Sequence, residues 1–123
     1  MLNNISVVII VKDGGKTINA TLSALSQFSD VVVYDNGSTD DTIEIANKFH
    51  NVNLVQGDFT GFGPTKNKAT TYAKNDWILI LDSDEVADEH FVNHLKSQHL
   101  DDQSVYMVNM VSYYKDIKIK YSG

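Results

Sequence analysis

The sequence predicts one α/β domain over residues 1–123, built on a mostly parallel β-sheet with helices on both faces and a β-rich C-terminal segment. Three observations lead to this fold class. Short apolar runs rich in β-branched residues alternate with stretches whose apolar residues recur every three or four positions. Turn residues such as glycine separate these stretches. The length of 123 residues suits a single hydrophobic core. Strands that alternate with helices are joined by right-handed crossovers, which makes them parallel.

Two strand–helix units are predicted in the first half of the chain. Residues 5–11 (ISVVIIV) and 31–35 (VVVYD) are typical of strands that are buried on both faces. A helix is predicted over residues 16–28 from the spacing of its apolar residues. Ser38, followed three residues later by Asp41, resembles a capping box that would begin the second helix. One face of that helix carries Ile43, Ala46 and Phe49.

Two further units follow the same pattern. A short strand is predicted at residues 52–56, and another at residues 77–82, where an apolar run leads into Asp82. A glycine-rich loop lies between them, and Pro64 suits the first position of the third helix because proline lacks an amide hydrogen. The fourth helix is predicted over residues 88–98.

The C-terminal segment is predicted to be β-rich. Residues 105–114 favour a strand, and the alternation of IKIKY from Ile117 is typical of a half-exposed strand. Tyr113 and Tyr114 are candidates for contact with an acceptor. Because neighbouring residues of a strand face opposite ways, we expect at least one of these two to be structural.

Composition excludes several classes of protein. The net charge of −6 argues against a general nucleic-acid binder, which would present a basic face. The chain has no cysteine, so disulfides and thiolate metal sites are excluded. No apolar run reaches the roughly 18 residues of a membrane span, and the N-terminus lacks a signal-peptide pattern. We therefore expect a cytoplasmic domain with no transmembrane segment and no nucleic-acid partner.

Charged and polar residues follow three of the predicted strands. They are Lys12 and Asp13 after the first strand, Asp35 and Asn36 after the second, and Asp82, Ser83 and Asp84 after the fourth. Open parallel sheets bind their ligands outside the carboxyl ends of the strands. We therefore expect these residues to meet at one edge of the sheet and to form a ligand site there.

The carboxylates at this edge predict a divalent cation. Two unit charges 4 Å apart in water repel by ~1 kcal/mol, and more in a cleft. A magnesium or manganese ion replaces this repulsion by attraction, because it binds the carboxylates and the oxygens of a diphosphate at the same time. Asp82 and Asp84 are the candidate ligands. The same Asp-Ser-Asp pattern is also typical of a turn that caps the next helix, and that interpretation stays open.

Three segments resemble the nucleotide-sugar-binding half of family 2 glycosyltransferases, which have the Rossmann-like GT-A fold. They are ISVVIIVKDGGKTINATLSAL, VVVYDNGSTDDTIEIANKF and GFGPTKNKATTYAKNDWILILDSDEV. They follow the family's order and together extend over roughly residues 5–95. The lysine-rich opening and LDSDEV are most similar to the branch of lipopolysaccharide-core glucosyltransferase-like proteins. The resemblance implies a glycosyltransferase that binds a nucleotide-diphosphate sugar, with a UDP-sugar expected, through Mn²⁺ or Mg²⁺.

The resemblance also implies contacts with the nucleotide. Val11, Lys12 and Asp13 would lie along the base, and Asp35 would accept a hydrogen bond from it. Asn36 stands where the family has a second aspartate. The family's Pro-Thr-Tyr-Asn after the first strand is replaced here by residues 10–13.

Further residues are implied at the phosphates and the metal. Lys66 occupies the family's basic position near the phosphates. Asp82 would face the ribose and the metal, Asp84 would ligate the metal directly, and Ser83 between them would belong to the same binding turn.

The resemblance does not identify a catalytic residue. Inverting members of the family take an Asp or Glu base, and most of the acceptor site, from sequence beyond the Asp-x-Asp unit. The acids available there match no motif: Glu85, Asp88, Glu89, Asp101, Asp102 and Asp116. We expect the chain to be truncated before the acceptor half. The acceptor is expected to be a saccharide, such as a polysaccharide, a lipid or a protein. Any peripheral association with a membrane would come from the missing regions.

Alternative interpretations stay open. The chain also fits a non-catalytic nucleotide-sugar-binding or assembly module. A magnesium-binding phosphoacceptor regulator fits less well, because the first strand ends in VKDGG rather than in paired acids. His90 and His94 have the spacing of a zinc pair but are expected to be surface histidines. Phe59 and Phe62 are candidates either for ligand contact or for anchoring their loop.

Overall fold

The computed structural model describes residues 2–96, 106–109 and 119–120. The strands are β1 (Leu2–Val11), β2 (Phe28–Asp35), β3 (Val52–Gln56), β4 (Trp77–Asp82), β5 (Tyr106–Asn109) and β6 (Ile119–Lys120). The helices are α1 (Ile18–Ser23), α2 (Thr42–Ala46), α3 (Phe62–Thr70) and α4 (Glu89–Lys96). In this part of the chain the six strands form one sheet in the order β3-β2-β1-β4-β5-β6.

The sheet is parallel from β3 to β5, and β6 pairs with β5 in the antiparallel direction. Helices cover both of its faces. Val7 of β1 belongs to a core that also contains Ile18 of α1 and Phe91 of α4. Val8, which points to the opposite face, packs in a second core with Ala69 of α3. The predicted α/β fold class is therefore confirmed.

The strand order fixes where the carboxyl ends of the strands meet. The chain runs outward from β1 to β2 and β3 and then returns to place β4 on the other side of β1. In the register of the sheet Val11 lies opposite Asp35, and Ile10 lies opposite Asp82. The ends of β1, β2 and β4 are thus almost level. Because connections leave in opposite directions between β1 and β4, a ligand crevice is expected at this edge.

The first helix is shorter than the sequence predicts. A helix was expected over residues 16–28, whereas α1 ends at Ser23 and Phe28 already begins β2. The amides of Leu25 and Phe28 donate to carbonyls three residues earlier, at 3.0 Å each, so the chain continues in tight turns. Both side chains remain fully buried in the core. The apolar spacing therefore continues beyond the helix, because these turns keep the same face toward the core.

The predicted starts of the second and third helices are also wrong. Asp41, rather than Ser38, is the N-cap of α2, because the Ser38 hydroxyl donates to the Asp35 carboxylate instead. Helix α3 begins at Phe62, two residues before Pro64. Pro64 still lies in the first helical turn, where an amide hydrogen would have no helical partner.

The C-terminal predictions are only partly covered by the described residues. Strands β5 and β6 lie within the two predicted β-rich stretches. Tyr113, Tyr114 and the end of the predicted fourth helix lie outside the described residues. Within the described part of the chain, no helix is both long enough and apolar enough to cross a membrane.

Candidate functional site

Hydrogen bonds join the loop after β1 to the loop after β2. The Asp13 N–H donates to Ser38 Oγ at 2.8 Å. In return, Asp13 Oδ1 accepts from the Thr39 N–H at 2.7 Å and the Asp40 N–H at 3.3 Å. Asp13 has a φ of 55°, a left-handed conformation that aspartate tolerates better than most residues. Asp13 therefore connects the two loops, a role that the sequence interpretation missed.

Asp35, the predicted acceptor for the base, is fixed within its own turn. Its side chain is 1% exposed. Oδ2 accepts from the Gly37 N–H at 3.2 Å and from the Ser38 N–H at 3.0 Å, while Oδ1 accepts from the Ser38 hydroxyl. A carboxylate has about four acceptor positions. One such position remains for a ligand, and the contact with a base stays a prediction.

A cavity of about 360 Å³ opens beside Asp35. Its lining includes Asn36, Ile43, Gln56 and Asp58. Among the described residues, Asn36 Oδ1 is buried without a hydrogen-bond partner. An unpaired buried oxygen costs about 1–3 kcal/mol, so a ligand that donates a hydrogen bond here would recover that cost. The sequence predicts Asn36 but not Gln56 or Asp58, since the third strand carries no motif at its end.

A buried tyrosine holds the far wall of this cavity. Tyr34 is fully buried, and its hydroxyl donates to the Asp58 carbonyl at 2.9 Å. A Cβ atom on Gly57 would lie only 2.2 Å from the Tyr34 hydroxyl oxygen. Glycine at position 57 is therefore required for the loop to pass this close to the ring.

The acidic segment after β4 forms a closed turn. The Glu85 N–H donates to the Asp82 carbonyl at 3.1 Å, and the Asp82 N–H donates to Glu85 Oε1 at 2.8 Å. Burial raises the pKa of Glu85, and the charges of Asp82 and Asp84 raise it further. The side chains of Asp82 and Asp84 are exposed. Glu85 thus closes the turn, and the other two carboxylates face solvent.

The acidic turn is attached to the first helix. Ser83, between the two candidate metal ligands, has a carbonyl that accepts from Thr21 Oγ1 at 2.7 Å and from Thr17 Oγ1 at 2.9 Å. A Cβ atom on Gly14 would lie 3.3 Å from Ser83 Oγ, so the turn packs closely on the loop after β1. Sequence reasoning missed both threonines. The one feature of the sequence that could have indicated them is the spacing of two hydroxyl side chains, four residues apart, beside the apolar face of the first helix.

The other residues predicted to bind the donor differ in their exposure to solvent and in their contacts. Val11 is buried, and its carbonyl accepts from the Asn36 N–H at 2.9 Å. Lys12 is exposed. Lys66 is half-buried in α3 with its Nζ 5.6 Å from the centre of the Phe62 ring. Its contact with phosphate stays a prediction.

The acidic turn offers two exposed carboxylates as possible ligands for a cation. Within the described residues, no group of three or more His, Cys, Asp or Glu is arranged to hold a metal. Magnesium is usually bound by one or two carboxylates together with phosphates of the substrate. The two exposed carboxylates of Asp82 and Asp84 fit that pattern.

Two of the acids that follow the turn have local structural roles. Glu85 closes the turn, and Asp88 Oδ1 accepts from the Phe91 N–H at 2.8 Å at the start of α4. Asp101, Asp102 and Asp116 lie outside the described residues. A catalytic base is therefore not assigned.

The fold is that of an open α/β sheet with a ligand crevice at the carboxyl ends of its strands. The sequence pattern described as Glycosyl transferase family 2 matches residues 6–122. The chain belongs to this family, and the family resemblance predicted from the sequence is confirmed.

Curated relatives of the chain include bacterial glycosyltransferases. An uncharacterized glycosyltransferase of Rickettsia prowazekii is 28% identical over 119 residues, which cover 93% of this chain and 40% of that protein. An uncharacterized glycosyltransferase of Rickettsia conorii is 33% identical over 86 residues, covering 69% of this chain and 30% of the relative. The chain therefore spans about two fifths of the length of the longer match.

Solved structures share the fold. The crystal structure of S. aureus TarS 1-349 in complex with UDP has a TM-score of 0.64 and 26% identity, covering 76% of this chain and 31% of that one. Glucosyl-3-phosphoglycerate synthase from Mycobacterium tuberculosis, solved with Mn²⁺, UDP and glucosyl-3-phosphoglycerate, has a TM-score of 0.58 and 23% identity. That match covers 66% of this chain and 33% of the synthase, and it supports the fold assignment alone.

Proposed function

We propose that this chain is the donor-binding domain of a glycosyltransferase that uses a nucleotide-diphosphate sugar, with a UDP-sugar as the expected donor. One observation carries the proposal. The acidic turn presents Asp82 and Asp84 at the carboxyl edge of the sheet beside β1, where parallel sheets bind their ligands, in a chain that belongs to family 2. The UDP complex of TarS, at 26% identity, supports uridine as the nucleoside.

The proposed cofactor is Mn²⁺ or Mg²⁺. Asp84 would ligate the cation directly, and Asp82 would face both the cation and the ribose. Oxygen donors of this kind suit hard cations, and phosphate oxygens of the donor would complete the coordination. The bound cation would neutralise charge on the diphosphate as it leaves.

The nucleotide is proposed to lie across the loops that follow β1 and β2. Asp35 and Asn36 would receive the base, since both residues line the cavity, Asp35 retains one acceptor position and Asn36 Oδ1 has no hydrogen-bond partner. The donor would also contact Val11, Lys12, Asp13, Lys66 and Ser83. Because the chain carries a net charge of −6, a cation at this edge would favour the binding of a diphosphate.

The finer features of the activity belong to the same proposal. We propose inversion of the anomeric centre and a saccharide, lipid or protein acceptor. Membership of the lipopolysaccharide-core glucosyltransferase-like branch, a role in polysaccharide synthesis and a cytoplasmic location are further parts of it. The catalytic base and most of the acceptor site are expected from sequence that follows the acidic turn.

Calorimetric titration with UDP, with and without Mn²⁺, tests the donor site. We expect UDP to bind only when Mn²⁺ is present. The variant Asp84→Asn should weaken metal-dependent binding by at least about tenfold, since groups that support a metal site typically contribute that much. Glu89→Gln removes the same charge from an exposed position on α4 and should bind like the unaltered chain. UDP binding that needs no metal, or an Asp84→Asn variant with full affinity, would contradict the assignment.

A turnover assay separates an enzyme from a binding module. UDP-glucose, UDP-galactose and GDP-mannose are incubated with the chain and Mn²⁺, and release of nucleoside diphosphate is measured. Release that depends on Asp84 supports transfer of the sugar to water by the chain itself, since the mixture contains no other acceptor. Metal-dependent binding with no release would instead support the non-catalytic nucleotide-sugar-binding module.

A further inference from the structure

The carbonyl of Ser83 is held by two hydroxyl groups, one from Thr21 of α1 and one from Thr17, the N-cap residue of that helix. Thr21 Oγ1 lies 2.7 Å from the Ser83 oxygen and 3.2 Å from the Thr17 oxygen, while Thr17 Oγ1 lies 2.9 Å from the Ser83 oxygen and 3.4 Å from the Gly14 oxygen. Each hydroxyl has one proton to donate. The shorter contact of each threonine is the one to Ser83, so we assign both hydroxyls as donors to this carbonyl.

These two bonds fix the location of the acidic turn and not its internal shape. The bonds between Asp82 and Glu85 close the turn but lie entirely within it. The threonines instead connect the turn to α1, whose Ile18 and Leu22 are buried in the main core. Thr21 is itself fully buried. The backbone midway between the two candidate metal ligands is therefore attached to a rigid part of the fold.

The attachment also determines which atoms of the turn remain available to a ligand. A carbonyl oxygen has two lone pairs, and the two threonine hydroxyls occupy both at Ser83. This oxygen is not free to bind a cation. The neighbouring carboxylates of Asp82 and Asp84 are exposed and repel one another. The two threonine bonds hold the backbone between these carboxylates and so limit how far their repulsion can displace the turn.

We propose that Thr17 and Thr21 are positioning residues for the cation and the nucleoside diphosphate, because their hydroxyls hold Ser83 so that Asp82 and Asp84 present their carboxylates at one place. This inference rests on the proposed donor site. Groups that orient metal ligands typically change metal affinity by 10- to 100-fold when they are lost. The threonines would thus tune metal affinity without touching the metal.

The test measures Mn²⁺ affinity in the presence of UDP for valine and serine variants. Free Mn²⁺ is quantified by its electron paramagnetic resonance signal at a fixed UDP concentration, and the melting temperature is measured in parallel. Thr17→Val with Thr21→Val keeps the side-chain shape but removes both hydroxyls, so we expect Mn²⁺ to bind roughly tenfold more weakly. The matched pair Thr17→Ser with Thr21→Ser keeps both hydroxyls and should bind Mn²⁺ like the unaltered chain, although the lost methyl groups lower its melting temperature.

Two single variants, together with a control variant far from the acidic turn, separate the loss of the hydroxyls from a general loss of stability. Thr17→Val and Thr21→Val each retain one hydroxyl, and each should weaken Mn²⁺ binding by about threefold even if the double variant does not fold. Ser6→Ala removes a buried hydroxyl near the amino ends of the strands and should lower the melting temperature without changing Mn²⁺ affinity.

The outcomes separate this inference from the proposed function. If the unaltered chain binds neither Mn²⁺ nor UDP, both fail. If it binds them and the valine variants bind equally well, the positioning role is wrong while the donor site stands. Equal losses of affinity in the valine, serine and Ser6→Ala variants would indicate general destabilisation and would also overturn the positioning role.

Discussion

Carboxylates have two different roles along the carboxyl edge of the sheet. Asp13, Asp35 and Glu85 accept hydrogen bonds from backbone amides of nearby loops and hold those loops in place. Asp82 and Asp84 expose their carboxylates instead. The concentration of acids at this edge is thus partly structural. The binding of a cation is proposed only for the two that face solvent.

Asp40 provides a test of the structural carboxylates. Hydrogen bonds from the Thr42 hydroxyl, then from the Thr42 and Gly15 amides, hold the pKa of Asp40 below its ordinary value of 3.8. Ionised Asp40 therefore stabilises the folded state above the unfolded pKa, and this stabilisation is lost as the pH falls through the lower folded pKa. Asp40→Asn should lower the melting temperature at pH 7, and the difference from the unaltered chain should shrink below about pH 4.

A series of thermal melts between neutral and acidic pH measures this effect. Asp76→Asn makes the same change of charge at an exposed side chain just before β4 and serves as the control. A difference for Asp40→Asn that stays constant across the pH range would contradict the assigned cause.

The sequence predicts the location of these residues better than their roles. The alternation of strands and helices is sufficient to bring Asp13, Asp35 and Asp82 to one edge, because all three follow parallel strands. The bonds of Asp13 to Thr39 and Asp40 depend on the conformations of two loops that lie about 25 residues apart in sequence. No local pattern carries that information, so structural and exposed carboxylates look alike in the sequence.

At the scale of elements, periodicity predicts which helices and strands form but not all of their ends. The strand at residues 77–82 was predicted with its observed bounds, because its buried run is bounded by polar residues. The first helix was predicted too long, since the turns after Ser23 continue to bury Leu25 and Phe28. Helix ends are decided by where backbone groups find partners, and apolar spacing does not report this.

A buried polar cluster connects three elements near the amino ends of the strands. Ser6 Oγ donates to Asp30 Oδ2 at 2.6 Å, and the Lys74 N–H donates to the same oxygen at 2.8 Å. The Asn75 N–H and side-chain amide both donate to Ser6 Oγ, at 3.1 and 3.2 Å. The cluster therefore joins β1 and β2 to the connection between α3 and β4.

Removal of the central carboxylate should destabilise the fold without affecting the candidate site. Asp30→Ala leaves the Ser6 hydroxyl and the Lys74 amide without their acceptor, so we expect a loss of about 1.5–3 kcal/mol in the free energy of unfolding. Urea titration measures this loss, and Ser6→Ala should cost less, about 1 kcal/mol. Metal-dependent UDP binding by the folded variants should be unchanged. A stability equal to that of the unaltered chain would contradict a structural role for this cluster.

At the scale of the whole molecule, the parallel sheet was predictable and the complete strand order was not. Buried β-branched runs that alternate with amphipathic segments require parallel strands with helices on both faces. The placement of β4 beside β1 depends on the edge of the sheet to which each helical connection returns the chain. That choice is made by packing between elements distant in sequence, and no periodicity records it.

The position of each strand in the sheet predicts a gradient of local stability. Val7, Val8 and Ile9 of β1 are fully buried between β2 and β4, whereas β3 lies at the edge and is partly exposed. Amides that open only on global unfolding exchange most slowly. Hydrogen exchange followed by NMR should therefore be slowest in β1 and the adjoining part of β2, and faster in β3. Protection of β3 equal to that of β1 would contradict this distribution.

The buried side chain of Tyr34 holds the cavity wall at Asp58 at a fixed distance from β2. One phenol ring spans the distance from β2 to the wall at Asp58, and Gly57 leaves just enough room for it. A shorter residue at position 34 would remove this spacer, and a larger residue at position 57 would displace the wall. A ligand in this cavity would meet the wall at Gly57 and Asp58 but not Tyr34, so its fit depends in part on a residue that lies behind the wall. Mutational tests of the proposed donor site should vary positions 34 and 57 together, because substitutions of residues in contact do not have additive effects.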